Sequence, residues 1–302
     1  MSFSGEVKEE LVKQMASARH CQLAELAVIL EYTNAVREKE DGSFALEIQQ
    51  ETPYVARKCF ALLKKTLNIE TIKEEDAEAS NHFHYENTDQ LPRILQAVKY
   101  VPGEERVVNA MVMKSLCCKR AFLRGAFLSI GSMSNPEKGY HLEFVCENEK
   151  QAKQVQDTLA VFDVEAKIVA RKRYQVVYLK ESEGIVELLN IMGAHISLMN
   201  LENLRILKDM RNSINRRVNC EAANITKTVN AATKQIDDIL YIRDHYGFSN
   251  LSDNLREIAE VRLDYPDATL KELGEYLEPK VGKSGVNHRL RKLSELADRL
   301  RT

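Results

Sequence analysis

The sequence has no run of eighteen apolar residues, so no membrane-spanning helix is expected. Its opening residues, MSFSGEVKEELVKQM, carry acids and lack an apolar h-region, so no secretory signal is expected there and a cytoplasmic location follows. There is no C-x-x-C pair among the six cysteines, Cys21, Cys59, Cys117, Cys118, Cys146 and Cys220. Most of them sit in apolar segments, where cysteine acts as a small hydrophobe, so reduced, buried thiols are expected rather than metal or redox sites. His82 and His84 share one face of the strand-like HFHY, but no third ligand lies near them in sequence, and no metal site is expected there. The chain also lacks a strong charge of either sign: 43 Lys and Arg against 45 Asp and Glu give a formal −2, which argues against a wholesale nucleic-acid coat. What is present is ordinary globular material, 302 residues with 44% apolar and 29% charged, enough for two domains.

The charge is unevenly spread. Between Pro279 and Thr302 stand seven basic residues, Lys280, Lys283, Arg289, Arg291, Lys292, Arg299 and Arg301, and two acids, Glu295 and Asp298, a local net of +5. A second basic cluster, Arg171-Lys172-Arg173, falls between two strand-like runs.

The first two-thirds repeat themselves. LAVILEYTNAV (26–36) and LRGAFLSIGSM (123–133) are both apolar helix patterns that end in small or polar residues, 97 positions apart. SFALEIQQE and YHLEFVCEN then alternate as half-buried strands do. Next come the amphipathic helices YVARKCFALLKKTLNIE and EKQAKQVQDTLAVFDVE, two strand-like runs in each half, and the closing helices LPRILQAV and GIVELLNIMGA. Each half reads as α-β-α-β-β-α with room for an extra short strand, and so long a period is a domain duplication rather than a solenoid. Gly125, Ala126, Ser129 and Gly131 are small enough to let two backbones approach closely. Two such helices would cross at a pseudo-twofold axis, with the sheets fanning out as a saddle.

The two helices resemble the LAGLIDADG motif of homing endonucleases. More closely, the whole chain resembles the WhiA family, on FSGEVKEEL, LRGAFLSIGSMSNPEKGYHLEF, RRVNCEAANITKT and LKELGEYLEPKVGKSGVNHRLRKL. That resemblance implies an α+β fold, a duplicated LAGLIDADG-type saddle followed by an all-α helix-turn-helix domain. The expected parts are 1–108 (N-terminal segment and first repeat), 109–210 (second repeat) and 211–302 (linker helix and helix-turn-helix). Homing nucleases hydrolyse DNA with a carboxylate from each helix end holding divalent metal. Aligned to them, this chain has Ile130 at one such place and Thr33 at the other, with Asn34 in the glycine position. Glu31 lies two residues early, on another helical face, with Leu128 as its counterpart. No catalytic residue, metal or cofactor is expected; the scaffold is kept for shape and packing.

From Arg211 the pattern changes. NITKTVNAATKQIDDILYIRDHYG reads as a helix ended by Gly247, and NLREIAEVRLDY as a second, with Leu255, Ile258, Ala259, Arg262 and Leu263 at helical spacing. TLKELGEYL starts at Thr269, with Leu270, Leu273 and Leu277 on one face. EPKVGK is the turn, and the last helix is expected to begin at Ser284, an N-cap residue type. On it, Val286, Leu290, Leu293 and Ala297 make a core stripe, while Ser284, His288 and Arg291 face the other way, flanked by Asn287 and Lys292, with Arg289 nearer the buried edge, where it suits a phosphate contact. Arginine reaches guanine edges, asparagine adenine edges and lysine phosphate, so this face is the expected reader of double-stranded DNA, with Lys283 at its start and Thr269 and Lys271 offered from the helix across the backbone.

The combined reading is a sequence-specific DNA-binding regulator, not an enzyme, located at the nucleoid. The resemblance implies transcriptional control linked to sporulation or to cell division and chromosome segregation, together with a partner transcription regulator. Two alternatives remain open at this point: an N-terminal scaffold that serves as a protein-interaction platform while only the tail binds DNA, and an active nuclease.

Overall fold

The computed structural model describes residues 2–67, 81–87, 89–101 and 106–301. The chain divides into two compact units, Met1–Lys208 and Asp209–Thr302, each with its own core. No helix among the described residues is long and apolar enough to cross a membrane.

The first unit opens with α1 (Phe3–Lys13), whose N-cap Ser2 hydroxyl accepts from the Gly5 amide at 3.1 Å. The first repeat follows as α2 (Arg19–Tyr32), β1 (Val36–Glu38), β2 (Phe44–Gln49), α3 (Tyr54–Leu67), β3 (His82–Tyr85) and α4 (Leu91–Ala97). After a 3₁₀ turn at Ala110–Met113 comes the second: α5 (Leu116–Ile130), β4 (Gly131–Met133), β5 (Leu142–Cys146), α6 (Glu149–Ala160), β6 (Lys167–Arg171), β7 (Tyr174–Leu179) and α7 (Ser182–Met192). The order of elements agrees between the halves. The room left for an extra strand is filled in both by the short runs directly after the central helices, β1 and β4. A further strand expected beside β3, and the end of the helix pattern that closes on Glu70, lie outside the described residues.

Both sheets are antiparallel. One runs β1-β2-β3 among the described strands, with Leu46 opposite both Val36 and Tyr85; the other runs β4-β5-β7-β6, with Phe144 opposite Gly131 and Val177. The period of two sends Leu46, Ile48, Phe83, Phe144 and Val177 into the core, and leaves Glu47, His82, His84 and Glu143 on the outer face. The hairpin β6–β7 turns at Lys172–Arg173, so the basic triplet forms its tip, with the Arg173 guanidinium 4.9 Å from the Tyr174 ring centre.

α2 and α5 pack against each other along their length, and the small residues explain how closely. A Cβ on Gly125 would fall 2.4 Å from Val28 Cγ1 and 2.9 Å from the Glu25 carbonyl oxygen, so only hydrogen fits there. Gly131 is tight for a different reason: its added Cβ would strike Phe127 of its own helix, so it serves the turn into β4 rather than the crossing.

A buried charge cluster locks this crossing. Glu25 Oε1 accepts from Arg124 Nε at 3.0 Å and lies 3.1 Å from Lys58 Nζ, and Glu25 and Lys58 are fully buried. Lys58 also donates to the carbonyls of Leu11 and Val12, at 3.1 and 3.4 Å, and to that of Gln14; Arg124 donates to Met192 at 2.9 Å. One carboxylate thus ties α2 to α3 and α5, and through its two cations to the C-terminal ends of α1 and α7. Burial pulls the Lys58 ammonium below the usual lysine range, with Glu25 opposing the shift.

The helix expected to start near Asn224 is far longer, α8 (His195–His245), and the expected boundary at 210/211 falls inside it. It begins two residues after Gly193, whose φ of 87° ends α7. Glu10 accepts from the Ile196 and Ser197 amides at 2.8 and 2.9 Å, satisfying two of the donors a helix start leaves open.

Candidate nucleic-acid interface

Three helices follow the end of α8: α9 (Asp253–Asp264), α10 (Leu270–Glu275) and α11 (Lys283–Arg301). Ile258, Ala259, Leu273, Leu277, Val286, Leu290, Leu293 and Ala297 are buried together with Ile239 and Ile242 of α8. The stripe read from the last helix is therefore its inner face. Arg262 is also buried. It donates to Gln235 at 3.0 and 3.2 Å and to the Ala268 carbonyl at 2.6 Å, pinning the end of α9 to α8 and to the segment that leads into α10.

The turn between α10 and α11 depends on one residue that the sequence reading passed over. The Val281 amide donates to the Gly274 carbonyl at 3.0 Å, and a Cβ on Gly274 would lie 2.0 Å from the Val281 carbonyl oxygen. The chain returns so closely over α10 that no side chain fits. Gly274→Ala is expected to destabilise the C-terminal unit by about 1–3 kcal/mol, since overpacking must push the turn away. Urea unfolding followed by far-ultraviolet circular dichroism checks this, and an unchanged midpoint would show that the turn yields freely.

The outer face of α11 carries Lys283, Ser284, Asn287, His288, Arg291 and Lys292, all exposed. Arg291 Nε lies 2.9 Å from Glu295 Oε1, an i,i+4 pair in which the arginine side chain stays 76% exposed. Such a pair is worth about 0.3–0.5 kcal/mol, so the guanidinium is easily released to another partner. Three expected contact residues also have places within the fold itself. Helix α11 already includes Lys283, so Ser284 lies inside the first turn instead of capping it. Thr269 is the N-cap of α10 in a capping box: its hydroxyl accepts from the Glu272 amide at 3.4 Å, while Glu272 accepts from the Thr269 amide at 2.7 Å. Arg289 is turned inward, 3.3 Å from Glu257 Oε2 of α9, with only 18% of its side chain exposed. Lys271 remains exposed on α10.

The ends of the two central helices in the first unit hold no carboxylate at the aligned positions. Thr33 closes α2, its hydroxyl donating to the Ile29 carbonyl at 2.7 Å, and Asn34 takes the left-handed conformation, φ 52°. With its amide oxygen oriented to suit its neighbours, Asn34 accepts from Arg37 at 2.9 Å and Arg106 at 3.1 Å. Ile130 packs against the core at the other end. The outer sheet faces mix signs: Arg37 pairs with Glu47, Lys39 with Glu86, and Arg171 and His141 with Glu143.

Profiles of three consecutive domains match this chain: the WhiA N-terminal LAGLIDADG-like domain over residues 19–86, the WhiA LAGLIDADG-like domain over 119–211, and the WhiA C-terminal HTH domain over 214–297. The chain belongs to the WhiA family. It is 54% identical, over the whole of both chains, to the probable cell division protein WhiA of Lachnoclostridium phytofermentans. It is 46% identical to that of Alkaliphilus oremlandii, with 99% of this chain and 98% of the relative covered. Among solved structures, full-length DUF199/WhiA from Thermatoga maritima superposes with a TM-score of 0.57 at 25% identity, covering 99% of each chain. The WhiA match shows the expected architecture, two LAGLIDADG-like domains followed by a helix-turn-helix domain. The WhiA HTH match takes in residues 214–245 of α8 with α9, α10 and most of α11, and the two LAGLIDADG-like matches begin in α2 and in α5.

Proposed function

We propose that the chain is a sequence-specific, double-stranded-DNA-binding transcription regulator that acts in cell division or sporulation. It reads its site with the outer face of α11 and uses the LAGLIDADG-like unit as a non-catalytic scaffold. The observation that carries this reading is the division of α11 into a buried apolar stripe and an exposed face of Lys283, Asn287, His288, Arg291 and Lys292. These residue types can combine base-edge and phosphate contacts, and the fold spends none of them on its core. Thr269, Ser284 and Lys271 supply backbone contacts from the edges of this face, and Arg289 serves it by holding α11 to α9. The mixed signs on the outer sheet faces make them poorer candidates for a phosphate backbone than α11. They leave the first unit as the surface for a partner regulator.

The test is a fragment beginning at Asn215, which keeps the buried cluster from Ile239 to Ala297. It is expected to prefer the same duplex as the full chain in a pooled site selection, with weaker affinity. Loss of all preference in a folded fragment would move the reading function to the LAGLIDADG-like unit.

A second expectation concerns cleavage. Thr33 and Ile130 cannot hold a divalent ion, and the guanidinium groups of Arg37 and Arg106 beside Asn34 repel one. The purified chain should leave supercoiled and linear DNA intact with magnesium or manganese. Metal-dependent cutting at a defined site that co-purifies with the protein, and is lost when Glu31 is replaced, would contradict this.

A further inference from the structure

The first turns of the two central helices bring together four side chains that are far apart in sequence. His20 and Cys21 stand at the start of α2, and Cys117 and Cys118 at the start of α5, each pair 97 residues from its counterpart. The nitrogen and the three sulfurs all lie within 4.8 Å of one another. His20 Nδ1 is 3.1 Å from Cys118 Sγ and 3.5 Å from Cys21 Sγ. We propose that these four residues form a Cys3His site for a structural zinc ion that clamps the two repeats together at the N-terminal end of their central helices.

The dimensions fit. With zinc about 2.3 Å from sulfur and about 2.0 Å from nitrogen, the ligand atoms of a tetrahedron stand about 3.5–3.8 Å apart. The cluster already has nearly this size, so small rotations of the four side chains complete it. The donor set selects the metal: three soft thiolates and an imidazole suit zinc and not magnesium or calcium. Four protein ligands leave no open position, which makes the site structural and not catalytic.

The helix starts supply a second reason. Neither α2 nor α5 has an acid in its first turn, and neither N-cap, Ala18 or Ser115, makes a side-chain capping bond. Both positive helix ends therefore point at the cluster with no acid from their own first turns to meet them. Thiolates held by zinc place negative charge there. Cys21 and Cys118 are buried among Ala24 and Ala121, with Ala16 and Ala18 beside them, which shields the inner half of the site. Cys117 and His20 are exposed, and Cys117 also lines a cleft of about 380 Å³ that gives a path of entry. Thiol–imidazole hydrogen bonds from His20 would account for the approaches of Cys118 and Cys21; they do not account for Cys117, which joins the same cluster.

The test uses the full chain, purified reduced without chelator or metal-affinity resin. Elemental analysis should find about one zinc per chain, as a closed four-ligand site requires. Cobalt added to the apo-protein should give the thiolate charge-transfer and strong visible bands of a tetrahedral centre. Cys117→Ser and His20→Ala, both at exposed positions, should lose the zinc and the cobalt spectrum while keeping their circular dichroism. Cys220→Ser, on α8 and outside the cluster, should keep both. Failure of the reduced wild-type chain to take up either metal overturns the proposal, as does wild-type binding by the Cys117 and His20 variants. A disulfide between the two pairs in a protein that binds no zinc after reduction also overturns it, and makes the cluster a redox pair.

Discussion

Replacing Glu25 by alanine should cost the first unit about 3–5 kcal/mol, the range for breaking a buried ion pair by removing one partner. Glu25 Oε1 is shared by Arg124 and Lys58, and all three side chains are buried. Its removal leaves a guanidinium and an ammonium facing each other in the core. Lysine can lower part of that cost by giving up its proton, since its carbonyl partners at Leu11 and Val12 also accept from a neutral amine. Arginine cannot, and its remaining bond to Met192 leaves most of its charge unmatched. Glu25→Gln keeps one acceptor and should cost less than the alanine. Equilibrium unfolding in urea, followed by tyrosine fluorescence, gives both values. A cost below about 1 kcal/mol for the alanine would mean that the cluster is dispensable to the crossing of α2 and α5.

Arg291→Ala and Lys292→Ala should weaken DNA binding in different ways. The exposed Arg291 guanidinium, paired with Glu295, can form a fork to a guanine edge, and its loss should cost about 1–3 kcal/mol at one base pair and relax preference there. The Lys292 ammonium, beside it on the same helix, suits a phosphate. Its loss should lower affinity evenly over all sequences and flatten the dependence of log K on log salt by about one unit of slope. Leu290→Ala serves as a control for folding: this side chain is 1% exposed in the core of the second unit, and its truncation should cost about 2–5 kcal/mol in stability.

The sequence made some of this legible and hid the rest, for physical reasons. An amphipathic period reports on itself, so the stripe Val286, Leu290, Leu293, Ala297 could be read directly and is the buried face. The duplication was legible because two whole sets of elements repeat in order. Buried charge was not legible. In AEL, RKC and LRG, Glu25, Lys58 and Arg124 look like surface residues, and only the crossing of the helices places them inside. Gly274 was passed over because its constraint comes from Val281, on the far side of a turn. The start of α8 was missed because the change in pattern near Arg211 reflects the end of packing on the first unit's core, not the start of a helix; Leu201 is still buried there, and Met210 and Ile214 are exposed. The clustering of His20 with Cys117 and Cys118 could not be found by looking for ligands close together along the chain. The repeat offset of 97 was the signal that could have shown it.

The measurement that bears most directly on the account is a titration of the full chain and its Arg291→Ala and Lys292→Ala variants, all shown to be folded, against the preferred duplex and each of its single-base-pair substitutions at several salt concentrations. Arg291→Ala should lose affinity at one base-pair position alone, and Lys292→Ala should lose it independently of sequence, with a shallower salt slope. Unchanged affinity and unchanged preference in both variants would contradict this: the basic face of α11 would then be no more than solvated surface, and the helix-turn-helix would not be the reader.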